Sequence, residues 1–272
     1  MRTNSSAARR GVMLALALVC TRFWVPTFVS GQETRTASGG ASLQIIADLV
    51  VGNRILANEG IVDGLGHISV RNDQRPDRFF VSRDLAPGLV TAADLIEYDL
   101  EGNPITPNAP RGYTERFIHA AIYKARPEVR SVVHAHTPSV VAFTVASIPL
   151  RPVYHVAAFL LPGVPVYEIR KVAGHQGMLV SDLRSGAALA ETLGDKAVAL
   201  MRGHGYVVVG SVIPEAVHRS IVLDVNARLQ MQAIGLGGSV TYLTSADAAV
   251  GGQVATEYMR GWALWKERAT HK

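Results

Sequence analysis

At 272 residues, 48% hydrophobic and 18% charged, the chain suits a globular α/β domain with its own core. Its formal charge of +5 is concentrated in residues 1–31, which hold Arg2, Arg9, Arg10 and Arg22 and no acid. The rest carries 23 basic against 22 acidic residues, which excludes a nucleic-acid partner argued from charge. The single cysteine, Cys20, falls in the same stretch, so a disulfide frame and a thiolate metal site are excluded too. Any metal must rest on histidine and carboxylate ligands.

Residues 1–31 run basic, then apolar from Gly11 to Cys20, then small at Val29-Ser30-Gly31, the order of a secretory signal peptide. The apolar run is shorter than the ~20 residues a spanning helix needs, so no stable membrane span is expected once the leader is removed. The expectation is an exported protein, periplasmic or secreted, with Arg9-Arg10 leaving a twin-arginine route open; without a functional leader it would be cytoplasmic. Residues 32–40 are small and polar and read as a flexible linker, with the folded domain at 41–272.

A helix is predicted over 41–58, where Leu43, Ile46, Leu49, Val50, Ile55 and Leu56 recur at helical spacing. Gly64 and Gly66 end it. His67–Arg71 alternates as a strand, Arg78–Ser82 and Leu95–Leu100 read as further strands, and Glu101–Pro104 as a turn. A second helix begins at Thr114 and is stopped by Pro127. Ser131–Val133 is a short buried strand that delivers His134, and 138–146 is helical. Ala197–Met201 and Tyr206–Val209 pair around Gly203-His204-Gly205, and a long helix spans 214–233 with proline in its first turn. Residues 239–252 read as a loop and 254–268 as a last amphipathic helix. This mixture of hairpins and covering helices predicts one α/β domain.

Within that frame the chemistry gathers at three places. His134 and His136 sit two apart on a strand, so both imidazoles can face one ion. His204 is flanked by glycines, which let the backbone approach a ligand closely. Three histidines with an open position make a catalytic Zn²⁺-type site rather than a closed structural one. Glu115, in the first turn of its helix, supplies a carboxylate.

Tyr113-Thr114-Glu115-Arg116-Phe117-Ile118-His119, followed by Val133-His134-Ala135-His136-Thr137, resembles the active-site region of the class II aldolase/adducin family. In that family an acid precedes a His-x-His pair by nineteen residues, the spacing of Glu115 and His134 here, and a distant His-Gly pair, here His204-Gly205, completes the set. The run from Asn53 to Arg71 also matches. The resemblance covers about residues 43–235 and implies that 41–272 is a single three-layer catalytic domain, a mainly antiparallel sheet covered by helices. It implies a divalent metal on His134, His136 and His204, Zn²⁺ first, with Mn²⁺, Co²⁺ or Mg²⁺ as alternatives, and Glu115 as acid/base. A symmetric homo-oligomer, a tetramer, is implied as well, with Trp262 and Trp265 of the last helix available to cover a neighbour's site.

The departures narrow the branch. Sugar-phosphate members carry Gly-Asn and a serine pair where this chain has Gly66-His67 and Tyr113-Thr114, which removes compact phosphate donors. Together with Ser82-Arg83 and Tyr154-His155, the chain looks most like decarboxylases of hydroxy-carboxymuconate semialdehydes and dihydroxyphthalates. The implied activity is loss of CO₂ from a hydroxylated aromatic-derived or β-keto carboxylic acid through a metal-stabilised enolate. His67, Ser82, Arg83, Tyr113, Tyr154 and His155 are the candidate substrate residues, with Arg83 suited to gripping a carboxylate. An aldolase or epimerase acting on a small hydroxy-aldehyde, and a non-enzymatic adducin-like binding domain, remain as alternatives. His119 is read as a helix-packing residue, and His175, His218 and His271 carry no assignment.

Overall fold

The computed structural model describes residues 41–161, 163–174, 177–251 and 258–270. The leader and linker expected at 1–31 and 32–40, with His175 and His271, lie outside them. Seven strands form one sheet: β1 (His67–Arg71), β2 (Arg78–Ser82), β3 (Leu95–Asp99), β4 (Ser131–Ala135), β5 (Val166–Tyr167), β6 (Val198–Met201) and β7 (Gly205–Gly210). Their spatial order is β3-β2-β1-β4-β7-β6-β5, and every pair is antiparallel except β5 with β6. The helices are α1 (Leu43–Asn58), α2 (Arg116–Ala125), α3 (Pro138–Val145), α4 (Arg170–Ala173), α5 (Leu183–Leu193), α6 (Ile213–Gly235), α7 (Ser245–Gly251) and α8 (Tyr258–Thr270).

The two-residue period of the strands sorts the core into two layers. Ile68, Val70, Val133, Ala135, Tyr206 and Val208 face one side and pack with Leu49 and Leu56 of α1, Val140 of α3 and Val217 and Leu223 of α6. Phe79, Val81, Ile96, Val132, Val207 and Val209 face the other and pack with Ile118 and Ile122 of α2 and Leu189 and Leu193 of α5. Fully burying each such side chain contributes roughly 1.5–3 kcal/mol, so two complete layers hold the sheet between its helices. The expected three-layer, mainly antiparallel architecture is therefore what forms. Among the described residues, no helix is long and apolar enough to cross a membrane.

Five local expectations change. The second helix starts at Arg116, not Thr114, so Glu115 is its N-cap; its side chain makes no capping bond. Strand β4 runs through His134 to Ala135 instead of stopping at Val133. Residues 239–252 are not all loop: Thr244 and Asp247 bond reciprocally, a capping box that starts α7. The unpredicted α5 is opened by Asp182, whose carboxylate accepts from the Ser185 backbone N–H at 2.7 Å. In α8, Trp262 is buried in the chain's own core and Trp265 packs beside it, so Trp262 is not left to cover a neighbour.

Candidate metal centre

Three segments converge on one point. His134 stands on β4 directly across from His67 of β1, with Val207 of β7 on its other side. His136 follows just after the strand, and His204 sits in the turn between β6 and β7. The three imidazoles lie with ring centres 4.5 to 5.1 Å apart, His136 and His204 stacked and His134 edge-on to both. Gly205 is required for this approach: a Cβ there would stand 2.4 Å from the Ala135 carbonyl oxygen and 2.7 Å from the His136 ring. Gly203 turns the chain into His204 with a φ of +64°, a region that favours glycine.

Glu115 enters from the N-terminus of α2. One carboxylate oxygen accepts from the Val180 backbone N–H at 3.1 Å; the other lies 3.4 Å from His134 Nε2 and 3.5 Å from His204 Nε2. One ligand atom from each of Glu115, His134, His136 and His204 lies within 4.8 Å of the rest. Burial raises the Glu115 carboxyl, but the His134 and His204 imidazoles outweigh it and hold it well below the usual carboxylate range. Burial, reinforced by His134 and His204, brings His136 down to about 4, so it is neutral at pH 7 and free to ligate.

The donor set fits a divalent cation on its own chemistry. His134 Nδ1 lies 3.0 Å from the Tyr206 carbonyl oxygen, which can only accept, so the proton is on Nδ1 and Nε2 carries a lone pair. That Nε2 is enclosed and makes no hydrogen bond, with the Glu115 carboxylate 3.4 Å away and His204 Nε2 turned to the same oxygen at 3.5 Å. A buried lone pair without a donor costs free energy unless a cation takes it. A backbone carbonyl fixing the far nitrogen of a ligating histidine is also how metal sites orient their imidazoles.

The candidate substrate residues divide. His67 lies beside the centre, its ring 5.1 Å from that of His134. Tyr113 follows with its ring 4.5 Å from His67, and its hydroxyl is committed, accepting from Ser82 at 3.2 Å and donating to the Leu85 carbonyl. Arg83 turns elsewhere: its Nε donates to Asp94 at 2.7 Å, so its guanidinium is tied to an acid of its own chain. Tyr154 packs half-buried on the α1/α6 side with exposed His155 against it, and no hydrogen bond, ion pair or ring contact joins either to the centre. His119, read from the sequence as packing, is instead a polar member of this site, 2.7 Å from His67. Sequence spacing puts His119 and Tyr123 on one face of α2 and His67, Ser69 and Arg71 on one face of β1; that the two faces meet comes from the fold.

Cavity size does not mark this place. A cavity of about 590 Å³ is lined by Val172, Leu179, Asp182 and Arg184 and includes none of the four candidate ligands. A cavity of about 70 Å³, bordered by Asp63, Leu65 and Thr137, touches His136. The chemistry marks the candidate site: among the described residues, Glu115, His134, His136 and His204 are the group of histidines and acids able to hold a metal ion.

A carboxylate and three histidines thus gather at one end of an antiparallel sheet held between helical layers, a donor set able to hold a divalent cation. The model of the Class II Aldolase and Adducin N-terminal domain matches residues 47–231, and the chain belongs to that family. It is 37% identical over 244 residues to decarboxylase tropJ of Talaromyces stipitatus, covering 81% of this chain and 92% of that protein. It is 34% identical to a 3,4-dihydroxyphthalate decarboxylase of Arthrobacter keyseri, covering 72% of this chain and 81% of the relative. Among solved structures, L-fuculose 1-phosphate aldolase from Glaciozyma antarctica superposes with a TM-score of 0.67 at 26% identity, covering 84% of this chain and 92% of that one.

Proposed function

We propose that the chain is a divalent-metal-dependent decarboxylase of a hydroxylated aromatic-derived or β-keto carboxylic acid. The observation that carries this reading is the convergence of Glu115, His134, His136 and His204 in a chain whose relatives include decarboxylases along most of its length. A cation held by His134, His136 and His204, with Glu115 beside it, would supply a Lewis acid that draws electron density toward substrate oxygens. Zn²⁺ suits imidazole ligands, and Mn²⁺ or Co²⁺ suits the mixed set.

Glu115, held anionic, is suited to take the proton of a substrate hydroxyl. The carbon–carbon bond to the carboxylate then breaks, its electron pair stays in the conjugated substrate, and CO₂ leaves. Glu115 returns its proton to that carbon and the substrate oxygen regains a proton from water, so the sum is exchange of a carboxylate for hydrogen. Val180 N–H keeps the Glu115 carboxylate aimed while the proton comes and goes.

Likeness to L-fuculose 1-phosphate aldolase supports a second reading, aldol cleavage, since both reactions leave an electron pair on carbon beside a carbonyl. His67 and the Tyr113-Thr114 pair, in place of small phosphate donors, favour the carboxylate substrate. The cavity at His136 is far below the roughly 300–1,000 Å³ of ordinary small-molecule sites. A homo-oligomer, a tetramer in our reading, would complete it. Export follows as part of the proposal from the acid-free leader, and N-terminal sequencing of protein from its host tests that part.

Purified protein loaded with Zn²⁺, Mn²⁺ or Co²⁺ should be offered ortho-hydroxylated aromatic carboxylates and β-keto acids, with CO₂ and aldehyde both measured. CO₂ release abolished by a chelator is the expected result. Aldehyde from a hydroxylated sugar phosphate with no CO₂ from any acid would replace the decarboxylase with an aldolase.

A further inference from the structure

A line of buried polar groups runs inward from the metal centre between β1 and α2. His67 Nδ1 lies 2.7 Å from His119 Nε2, His119 Nδ1 lies 2.6 Å from Ser69 Oγ, and Ser69 Oγ lies 2.7 Å from the Tyr123 hydroxyl. All four side chains are buried, none more than 3% exposed. A contact between two imidazole nitrogens at 2.7 Å needs a proton on one and a lone pair on the other, and burial lowers His119 to about 3, so His119 is neutral with a single N–H. Each of the three contacts holds one proton, so the line runs either outward to His67 or inward from it; Ser69 Oγ could accept from both His119 and Tyr123 only by leaving its own buried O–H without an acceptor, which is costly too.

In the first, Tyr123 donates to Ser69, Ser69 to His119 Nδ1, and His119 Nε2–H to His67 Nδ1. Every donor in the line then has an acceptor at 2.7 Å or less, and the proton of His67 is on Nε2. In the second, His67 Nδ1–H donates inward and each hydrogen bond reverses, which strips Tyr123 of Ser69 as acceptor. Its hydroxyl is left with the Arg130 carbonyl at 3.5 Å, the outer limit of a hydrogen bond, and that oxygen already accepts from the Arg71 backbone N–H at 2.8 Å. A buried hydroxyl without a good acceptor is costly, so the first direction wins.

The far nitrogen of His67 completes the argument. Nε2 has no partner among the described residues, yet it is not one of the enclosed unpartnered polar atoms, so it opens toward solvent beside His134. The facing pair His67 and His134, directly opposite on β1 and β4, are thus set in opposite senses: the Tyr206 carbonyl makes His134 Nε2 a bare lone pair, while His119 makes His67 Nε2 a donor. We propose that His119, held by Ser69 and Tyr123, is a positioning residue that fixes His67 as its Nε2–H tautomer. His67 is thereby a hydrogen-bond donor to a substrate oxygen beside the metal and not a further ligand. This rests on the metal-enzyme reading for the word substrate; the tautomer itself does not.

The test is ¹⁵N magnetic resonance of the metal-loaded protein labelled in histidine, with His67 identified by difference from His67→Asn. The expected wild-type signal is a neutral ring protonated on Nε2. His119→Gln should keep it, because the glutamine amide donates to His67 Nδ1 while its oxygen accepts from Ser69. Ser69→Ala cuts Tyr123 off and removes the bias, so both tautomers should appear. Turnover should then fall about threefold to tenfold, in proportion to the competent tautomer, with metal content unchanged. A wild-type His67 protonated on Nδ1, or a single unshifted Nε2–H signal in Ser69→Ala, would overturn the proposal. Loss of the Nε2–H signal in folded His119→Gln would overturn it as well. If no carboxylic acid is turned over, the spectra still decide the positioning role, so that failure is separate from failure of the decarboxylase reading.

Discussion

The two faces of the sheet come from the same strands and differ in what they bury. Toward α1, α3 and α6, β1 and β4 present Ile68, Val70, Val133 and Ala135. Toward α2 and α5, the alternate positions of the same two strands present His67, Ser69, Arg71 and His134. The first face is held by area and shape, so any side chain of similar volume serves. The second buries groups that must each find a partner, and it does so completely: the Arg71 guanidinium donates to the carbonyls of Val129, Pro76, Tyr123 and Arg126. Among the buried polar atoms left without a hydrogen bond is His134 Nε2, in the middle of the candidate metal centre. One face keeps the protein folded, and the other spends polar groups on placing three imidazoles and a carboxylate.

That contrast can be broken from its polar end first. His134→Ala should abolish turnover and remove bound metal, because it deletes the buried ligand at the middle of the cluster. Elemental analysis with a stability scan checks it, and a variant that keeps both metal and activity would dissolve the distinction between the faces. Glu115→Gln should fold and yet lose about 10²–10⁴-fold in turnover, the usual worth of a positioned acid or base. Metal affinity measured on the same variant sharpens the role: weaker binding makes Glu115 a ligand as well, unchanged binding a proton carrier alone.

The apolar end should respond in stability and not in chemistry. Leu49→Ala, at a fully buried position, should cost about 2–5 kcal/mol by denaturant unfolding while metal stoichiometry stays at the wild-type value. Loss of metal in the folded variant would show that the two layers are not separable.

Acid should act on the polar face of the chelator-treated protein. His119 has its folded pKa lowered to about 3, against about 6.5 when unfolded. The unfolded chain therefore binds the extra proton first as pH falls. The stability that depends on a neutral His119 is complete above about pH 6.5 and is lost at up to ~1.4 kcal/mol per pH unit below it. Glu115, held low, adds to the same loss below its ordinary range. Unfolding free energies at pH 7, 6 and 5 should decline in that order, and a flat profile would mean that the polar face is not buried as described. The smallest expected effect is at Arg83→Gln: since Arg83 is tied to Asp94 and part-exposed, stability should change by less than about 1 kcal/mol and KM should hold. A KM raised tenfold would return Arg83 to the substrate.

The sequence reveals the apolar face and the metal ligands for the same reason: both follow local periods. Two-residue alternation gives the strands, a His-x-His pair at a strand end gives two ligands, and glycines flanking His204 give the third. The capping role of Glu115 was misplaced by one step because Thr114 resembles a cap, whereas the carboxylate is drawn into the cluster instead. His119 was not legible singly. Its meaning depends on β1 lying against α2, a contact between residues about fifty positions apart that no local pattern announces. Tyr154-His155 lies away from its own chain's centre, where the family resemblance places a tyrosine that reaches a neighbouring subunit's site.

The account stands or falls on the metal centre, and the direct measurement is the metal content of purified protein after saturation and desalting, in wild type and in the His134→Ala/His136→Ala double variant. One divalent ion per chain in the wild type and none in the folded double variant is the predicted result. A wild type that retains no ion, or a double variant that retains a full one, would contradict it.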